Sequence, residues 1–224
     1  MARQVRRKIV LLVGILAVYF SGCAAPHQQV KTIHPQENPY SYNRLQTIAL
    51  QVIPLLDSEK KERYRIAIID SREINAYAVD KEHSILVFTL ALMEAFDDDE
   101  LTFILAHEVA HIKLGHYGKK VAASVATTTV FTVANVFLPG VGLLNSLANP
   151  LVTRGFSRVQ EMDADREAAS ALRSLALPAD VPVRALEKLR TIAQEKGSSK
   201  KNRSGLMDTH PSLTDRINQI KNNP

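Results

Sequence analysis

Two kinds of apolar pattern follow one another in the first hundred residues. Between residues 43 and 57, apolar side chains recur at spacings of three and four, which predicts an amphipathic helix. Residues 64–69 and 84–88 are short runs rich in β-branched and aromatic side chains, and residues 75–79 lie between them. Such runs are typical of strands, so we predict a small antiparallel sheet formed by these three segments.

Helical periodicity dominates the rest of the chain. It predicts helices over residues 89–96, 100–115, 156–175 and 183–195, and a short helix after residue 211. Helices therefore outnumber strands. The expected fold class is α+β, a mainly helical domain with a small antiparallel sheet.

Residues 121–153 differ from the predicted helices on either side because they contain no charged side chain. Threonine and asparagine residues interrupt the apolar positions, and Pro139 and Gly140 divide the segment in two. Each half is marginal against the roughly 20 apolar residues that a membrane-spanning helix needs. We predict an uncharged helical hairpin packed on the domain, with insertion into a bilayer surface as the alternative.

The first 22 residues have the order of charged and apolar side chains that marks a secretion signal. Four basic residues lie within the first eight positions, and the uncharged run of residues 9–20 follows them. As a helix that run would be roughly 18 Å long, too short for a hydrocarbon core of about 30 Å. The pattern predicts a cleaved signal peptide over residues 1–22.

The sequence FSGC at residues 20–23 resembles the lipobox of bacterial lipoproteins, in which the cysteine becomes the first mature residue and carries acyl chains. The resemblance implies lipidation of Cys23, although Phe20 replaces the usual leucine; an ordinary signal peptide or an uncleaved anchor is the alternative. Cys23 is the only cysteine, so an intrachain disulfide is excluded. The polar, proline-containing stretch after it predicts a tether over residues 23–40, followed by one domain over residues 41–224.

The formal net charge of +5 arises mostly in the predicted leader. Of the 28 Lys and Arg residues, four precede Cys23, which leaves 24 against 23 Asp and Glu in the remainder. A mature chain so close to neutral lacks the basic surface that tracks phosphates. A nucleic-acid partner is therefore not expected.

The sequence HEVAH at residues 107–111 carries the clearest chemical signal in the chain. A separation of four residues rotates two helical side chains by only about 40°, so His107 and His111 project from one face and can bind one metal ion. Glu108 is offset from that face, close enough to hydrogen-bond a water at the metal. The spacing predicts a hydrolytic metal site; the alternative, incidental polar residues on a buried helix, leaves these groups in need of partners.

A catalytic zinc site needs a third protein ligand. The metzincin pattern does not supply one, because Leu114 and Tyr117 stand where its glycine and histidine would be. If the helix continues, His116 lies about 180° round it from His107. We therefore expect His116 to face away from the metal and to be structural or solvated.

Three carboxylates lie close together on the next predicted helix. Glu161 and Asp165 share a face at a spacing of four, while Asp163 points elsewhere. Two histidines and one glutamate would leave the fourth position of a zinc ion open for water. The other carboxylate, Asp165, could accept the second ring N–H of a ligand histidine and fix its tautomer.

These segments together resemble the gluzincin metallopeptidases that include the HtpX heat-shock proteases and the CaaX prenyl endopeptidases. Four blocks carry the resemblance between about residues 43 and 220: NAYA at 75–78, AHEVAH at 106–111, EMDAD at 161–165, and THPS at 209–212 followed by Arg216 and Ile217. The resemblance implies a zincin fold that holds one Zn²⁺ per chain.

The resemblance also implies roles for individual residues of the site. Glu161 would be the third zinc ligand, and Asp165 would support a ligand histidine. Glu108 would take a proton from water and return it to the leaving amine. His210 would lie near the metal and stabilise the oxyanion; an ordinary His-Pro turn is the alternative.

The NAYA block would be an exposed edge strand. A peptide substrate would add to it as a further strand, with Asn75, Ala76 and Tyr77 as the substrate-binding residues. Backbone pairing of this kind tolerates many sequences, which suits broad proteolysis.

The resemblance is nearest to lipoprotein members that act in periplasmic quality control, because the chain lacks the other membrane spans of the integral relatives. It implies a zinc metalloendopeptidase that faces the periplasm, is held to the membrane by its lipid and degrades misfolded or misassembled envelope proteins. Ala24 replaces the aspartate associated with inner-membrane retention, which favours the outer membrane. The alternative is a chaperone or assembly factor on a zincin fold, with slow or latent hydrolysis.

Overall fold

The computed structural model describes residues 31–59, 61–78, 84–116, 155–197, 210 and 212–222. The predicted signal peptide, Cys23 and the uncharged segment 121–153 lie outside these residues. Among the described helices, none is both long enough and apolar enough to cross a membrane.

A four-stranded mixed sheet forms one side of the domain. Its strands are β1 (Thr32–Ile33), β2 (Arg65–Ile69), β3 (Ala76–Ala78) and β4 (Ile85–Thr89), in the spatial order β1-β2-β4-β3. The outer pairs β1–β2 and β3–β4 are antiparallel, whereas the central pair β2–β4 is parallel.

The parallel central pair corrects the prediction of an antiparallel sheet. That prediction assumed that segments adjacent in sequence pair with each other through turns. The chain instead passes from β2 to the far side of β4, runs back as β3, and only then enters β4. Strands β2 and β4, which run in the same direction, therefore become neighbours.

The fold also begins earlier than the predicted tether allows. Thr32 and Ile33 pair with Ile69 and Ile68, and the Ile33 carbonyl accepts a hydrogen bond of 2.7 Å from the Tyr42 hydroxyl. A strand of two residues is too short to show a period of two, so the sequence pattern did not indicate it.

Six α-helices, besides a short 3₁₀ helix at Lys61–Arg63, complete the described part of the domain. They are α1 (Pro39–Leu56), α2 (Leu90–Ala95), α3 (Asp98–Lys113), α4 (Arg158–Ser174), α5 (Val181–Gly197) and α6 (Leu213–Asn222). Each confirms a predicted helix, with ends that differ by four residues or fewer. The start of α1 moves most, because Asn38 caps it by accepting a 3.0 Å hydrogen bond from the Ser41 N–H and proline then occupies the first position.

Helix α3 is the central element of the fold. Asp97 caps its start and forms a reciprocal capping box with Glu100, which satisfies backbone N–H groups at the helix N-terminus. Every residue from Glu100 to His111 is buried, because α1, α4, α5 and β3 all pack against this helix. The polar side chains between Glu100 and His111 are thus held inside the domain.

Candidate metal centre

Two helices and the start of a third bring four potential ligands to one point. His107 and His111 lie on α3, Glu161 lies on the first turns of α4, and His210 lies just before α6. One side-chain donor atom from each lies within 4.8 Å of those of the other three, and all four residues are buried. Three of these residues were predicted as the ligands, and His210 was predicted to lie near the metal.

The spacing of the donor atoms suits a tetrahedral ion. His107 Nε2 and His111 Nε2 are 3.0 Å apart, and the Glu161 carboxylate oxygens lie 3.5 Å from the first and 3.4 Å from the second. A tetrahedral zinc ion with bonds of about 2.0–2.1 Å keeps its ligand atoms roughly 3.3–3.4 Å apart. The residues present therefore fit one zinc ion.

Asp165 holds the ring of His107 in the orientation a ligand needs. Its Oδ1 lies 2.9 Å from His107 Nδ1, so that nitrogen carries the proton and Nε2 presents its lone pair to the site. Burial alone would raise the pKa of Asp165, but Arg216 and His107 lower it to about 2. The carboxylate is therefore ionised, as its predicted supporting role requires.

Arg216 is the main residue that sequence reasoning left without a role. Its guanidinium donates to both oxygens of Asp165 at 2.7 and 2.6 Å and lies 2.8 Å from Glu161 Oε2. Two buried carboxylates on one helical face indicated that cations should lie nearby. In the sequence, the arginine of the RI pair after the THPS block was the residue that could have been assigned this role. Ser212, at φ 68°, turns the chain before α6 so that both His210 and Arg216 reach the site.

Glu161 is ionised by its surroundings. Burial by itself raises the pKa of this carboxyl, but His210, His107 and His111 together hold it well below its ordinary range. An anionic carboxylate between two imidazoles is the charge state that a zinc ligand must have.

His111 has two neighbours that the sequence did not reveal. Phe156 stacks on its ring with centroids 3.8 Å apart, and His116 Nδ1 lies 2.8 Å from His111 Nδ1. His116 is buried against His111, so it is structural and not solvated, and its ring is turned toward a residue of the site instead of away from it. The extrapolation assumed a continuing helix, but α3 ends at Lys113 and the chain turns back at Gly115, whose φ is +69°.

Glu108 and His210 form a second charged pair beside the ligands. His210 Nε2 lies 3.2 Å from Glu108 Oε1, and its Nδ1 lies 3.0 Å from Glu161 Oε1. Burial lowers the pKa of His210, but these two carboxylates raise it to about 9. Burial likewise raises the pKa of Glu108, whereas His210, His107 and His111 lower it to about 2. The two carboxylates therefore favour the charged form of His210.

The predicted substrate strand lies against the same helix. Strand β3 packs on α3 and is an edge strand, with β4 its only strand partner in the part of the chain that the structure describes. Asn75 precedes it; its backbone N–H donates to Thr89 Oγ1 at 3.1 Å. Among the described residues its buried Oδ1 has no hydrogen-bond partner. By contrast, Asp163 pairs with Arg166 on the surface, consistent with its predicted orientation away from the site.

The fold and this site fit a zinc metallopeptidase with an HExxH helix and a candidate glutamate ligand on α4. Comparison with known proteins agrees: the model for Peptidase family M48 matches residues 39–223, and the chain belongs to that family. The predicted family resemblance and the predicted zinc metallopeptidase activity are thus confirmed.

Individual relatives are similar to most of the chain. It is 28% identical over 228 residues to the Protease HtpX homolog of Bacillus licheniformis, a match that covers 86% of this chain and 74% of that protein. It is 27% identical over 195 residues to Metalloprotease LoiP of Escherichia coli, covering 85% of this chain and 73% of the relative.

Proposed function

We propose that this metallopeptidase is an endopeptidase tethered by lipid to the bacterial envelope, where it degrades misfolded or misassembled envelope proteins. The observation that carries the proposal is the buried HExxH site of α3 with its carboxylate partners, in a chain that begins with a predicted lipoprotein signal. The likeness to Metalloprotease LoiP supports the proteolytic part. The predicted lipidation of Cys23 supports the location, and Ala24 favours the outer membrane.

His107, His111 and Glu161 hold the metal in this proposal. Asp165 keeps the proton of His107 on Nδ1, and Arg216 balances the charge of both carboxylates. When bound, zinc supplies a Lewis acid that acidifies water and polarises a peptide carbonyl. Because Glu161 is already ionised at neutral pH, it can bind the metal without first losing a proton.

Glu108 is the proposed general base. Its low pKa leaves it ionised at neutral pH, so it can take a proton from the attacking water and later return it to the leaving amine. His210, charged and in contact with Glu108, is the proposed donor to the oxyanion of the tetrahedral intermediate. Both residues border the ligand set, where a substrate carbonyl has to be placed.

Strand β3 is the proposed docking edge for the substrate backbone. It is adjacent to α3, so a peptide paired along β3 runs past the helix that carries the ligands. The buried side-chain oxygen of Asn75 offers an acceptor beside that edge. Recognition through backbone groups suits substrates that share an unfolded state rather than a sequence.

A Glu108→Gln variant tests the catalytic proposal. Loss of the base should lower casein cleavage by roughly 10²- to 10⁴-fold while zinc remains bound at one ion per chain. Glu195→Gln, the same change at an exposed position of α5, is the matched control and should cleave at the wild-type rate. Full activity in Glu108→Gln would contradict the proposal.

The same variant separates proteolysis from the alternative role as a chaperone or assembly factor. Cells that lack the protein and cells that carry Glu108→Gln are compared for envelope-protein assembly. If only the complete absence of the protein impairs assembly, the chaperone role is favoured. If both strains accumulate misassembled envelope proteins, proteolysis is the function.

A further inference from the structure

The chain that follows α3 returns toward the metal centre. The N–H of Leu114 donates to the Ala110 carbonyl at 2.9 Å, and the N–H of Gly115 donates to the Ile112 carbonyl at 3.0 Å. Gly115 then takes a φ of +69°, a conformation that glycine adopts without the steric cost other residues meet. This turn buries His116 beneath the last turn of the helix.

The buried ring of His116 meets the one nitrogen of His111 that points away from the ligand set. The two Nδ1 atoms are 2.8 Å apart, a distance typical of a hydrogen bond. On the other side of the same ring, His111 Nε2 lies 3.0 Å from His107 Nε2 and 3.4 Å from Glu161 Oε1. Each nitrogen of His111 therefore has a separate and defined environment.

The position of the protons follows from what each nitrogen must do. A neutral imidazole carries one proton, and a metal binds only the nitrogen that lacks it. If His111 Nε2 is a ligand, its proton lies on Nδ1 and is donated to His116 Nδ1. His116 must then accept at Nδ1 and carry its own proton on Nε2.

We propose that His116 is a positioning residue: it accepts the Nδ1–H of His111, and so holds that ligand in the tautomer and orientation that zinc binding requires. The inference rests on the proposed ligand role of His111. Phe156, stacked on the His111 ring at 3.8 Å, limits rotation of the ring, but a phenyl group cannot select between the tautomers. The hydrogen bond from His111 to His116 supplies that selection.

The two ligand histidines are thus supported by different acceptors. His107 donates to a carboxylate, Asp165, which arginine neutralises in turn, whereas His111 donates to a neutral imidazole. A neutral acceptor orients the ring without adding a further negative charge to a site that already contains Glu108, Glu161 and Asp165. In both arrangements the Nε2 atom carries no proton and can bind a zinc ion.

Two substitutions separate the hydrogen bond from the packing of the ring. His116→Asn keeps an acceptor, because Asn Oδ1 and His Nδ1 are both bonded to Cγ and occupy equivalent positions. His116→Phe keeps a ring of similar shape and removes the acceptor. Zinc affinity of the full-length protein is measured by competition with a chromophoric chelator, and the melting temperature of the metal-free protein is measured in parallel.

We expect His116→Phe to weaken zinc binding by roughly 10- to 100-fold and His116→Asn to stay within about threefold of wild type. If the phenyl ring prevents folding, the comparison of His116→Ala with His116→Asn replaces it, with the same expected difference. Unchanged zinc affinity in the variant without an acceptor, or equal losses in both variants, would overturn the inference. Failure of the wild type to bind zinc would instead overturn the proposed function.

Discussion

Arg216 shows how one buried side chain can support several parts of the site. It is buried, binds both oxygens of Asp165, and reaches Glu161 at 2.8 Å. Removing one partner of a buried ion pair leaves the other charge uncompensated, which typically costs about 3–5 kcal/mol. The contribution of Arg216 is therefore one of charge balance, and the size of its side chain alone does not replace it.

For Arg216→Met we predict a loss of roughly 3–5 kcal/mol in the free energy of unfolding of the metal-free protein, measured by urea denaturation. Arg166→Met is the matched control, because Arg166 pairs with Asp163 on the surface of α4 and its loss should change stability little. An equally small effect of both substitutions would show that the buried carboxylates do not depend on Arg216.

His210 gives a second prediction at the scale of the residue. As the proposed oxyanion donor it acts mainly in the transition state, so His210→Ala should lower kcat by roughly 10²- to 10³-fold and leave the zinc content unchanged. His34→Ala, which removes an exposed histidine far from His210 in the sequence, serves as the control. Loss of zinc from His210→Ala would assign His210 to the ligands, and a gain in activity would show that it obstructs the site.

The residues that were predictable from sequence are those fixed by local periodicity. His107 and His111 share a face because a helix repeats every 3.6 residues, and Glu161 and Asp165 share one for the same reason. Arg216 and Phe156 reach the site only because α4 packs on α3 and α6 packs on α4 and α5, and no local pattern reports such contacts. The direction of His116 was predicted wrongly, because α3 ends at Lys113 and the turn at Gly115 sets that direction.

The helices and strands show the same contrast between features set by local sequence and features set by distant parts of the chain. The described helices were predictable within a few residues, since capping side chains and apolar stripes mark them in the sequence. The parallel pairing of β2 with β4 was not, because it depends on where the chain travels between the strands. Strand β1 was hidden for a different reason, since two residues are too few to show alternation.

The edge strand β3 leads to a prediction about substrates. The N–H of Thr89 donates to the Asn75 carbonyl at 3.0 Å, and antiparallel pairs alternate. The backbone groups of Ala76 should therefore point away from β4, toward a bound peptide. N-methylation of the substrate amide that pairs with Ala76 should lower kcat/KM by roughly two- to tenfold.

The neighbouring substrate amide is the control for that measurement. In a paired strand it points away from β3, so its N-methylation should have little effect. A series of peptides methylated at one amide each, assayed for kcat/KM, is expected to show alternate losses. Equal tolerance at every position would exclude strand addition along β3.

At the scale of the whole molecule, the early start of the fold restricts where the site can work. The first strand among the described residues begins at Thr32, and eight residues separate it from Cys23. Fully extended, such a segment spans at most about 30 Å. If Cys23 carries the lipid, the domain stays close to the membrane surface, and its substrates must come to that surface.

The proposed anchor can be tested apart from the catalytic site. The chain with Cys23→Ser, exported behind a conventional cleaved signal peptide, should move from the membrane to the soluble fraction and still cleave casein at the wild-type kcat/KM. Ala25→Ser in the natural chain introduces the same side chain nearby and should remain with the membrane. Continued membrane retention of the Cys23→Ser protein would contradict anchoring by lipid alone and would favour contact of residues 121–153 with the bilayer. Because the candidate ligands lie on helices inside the domain, release from the membrane should change which substrates the enzyme meets and leave its chemistry intact.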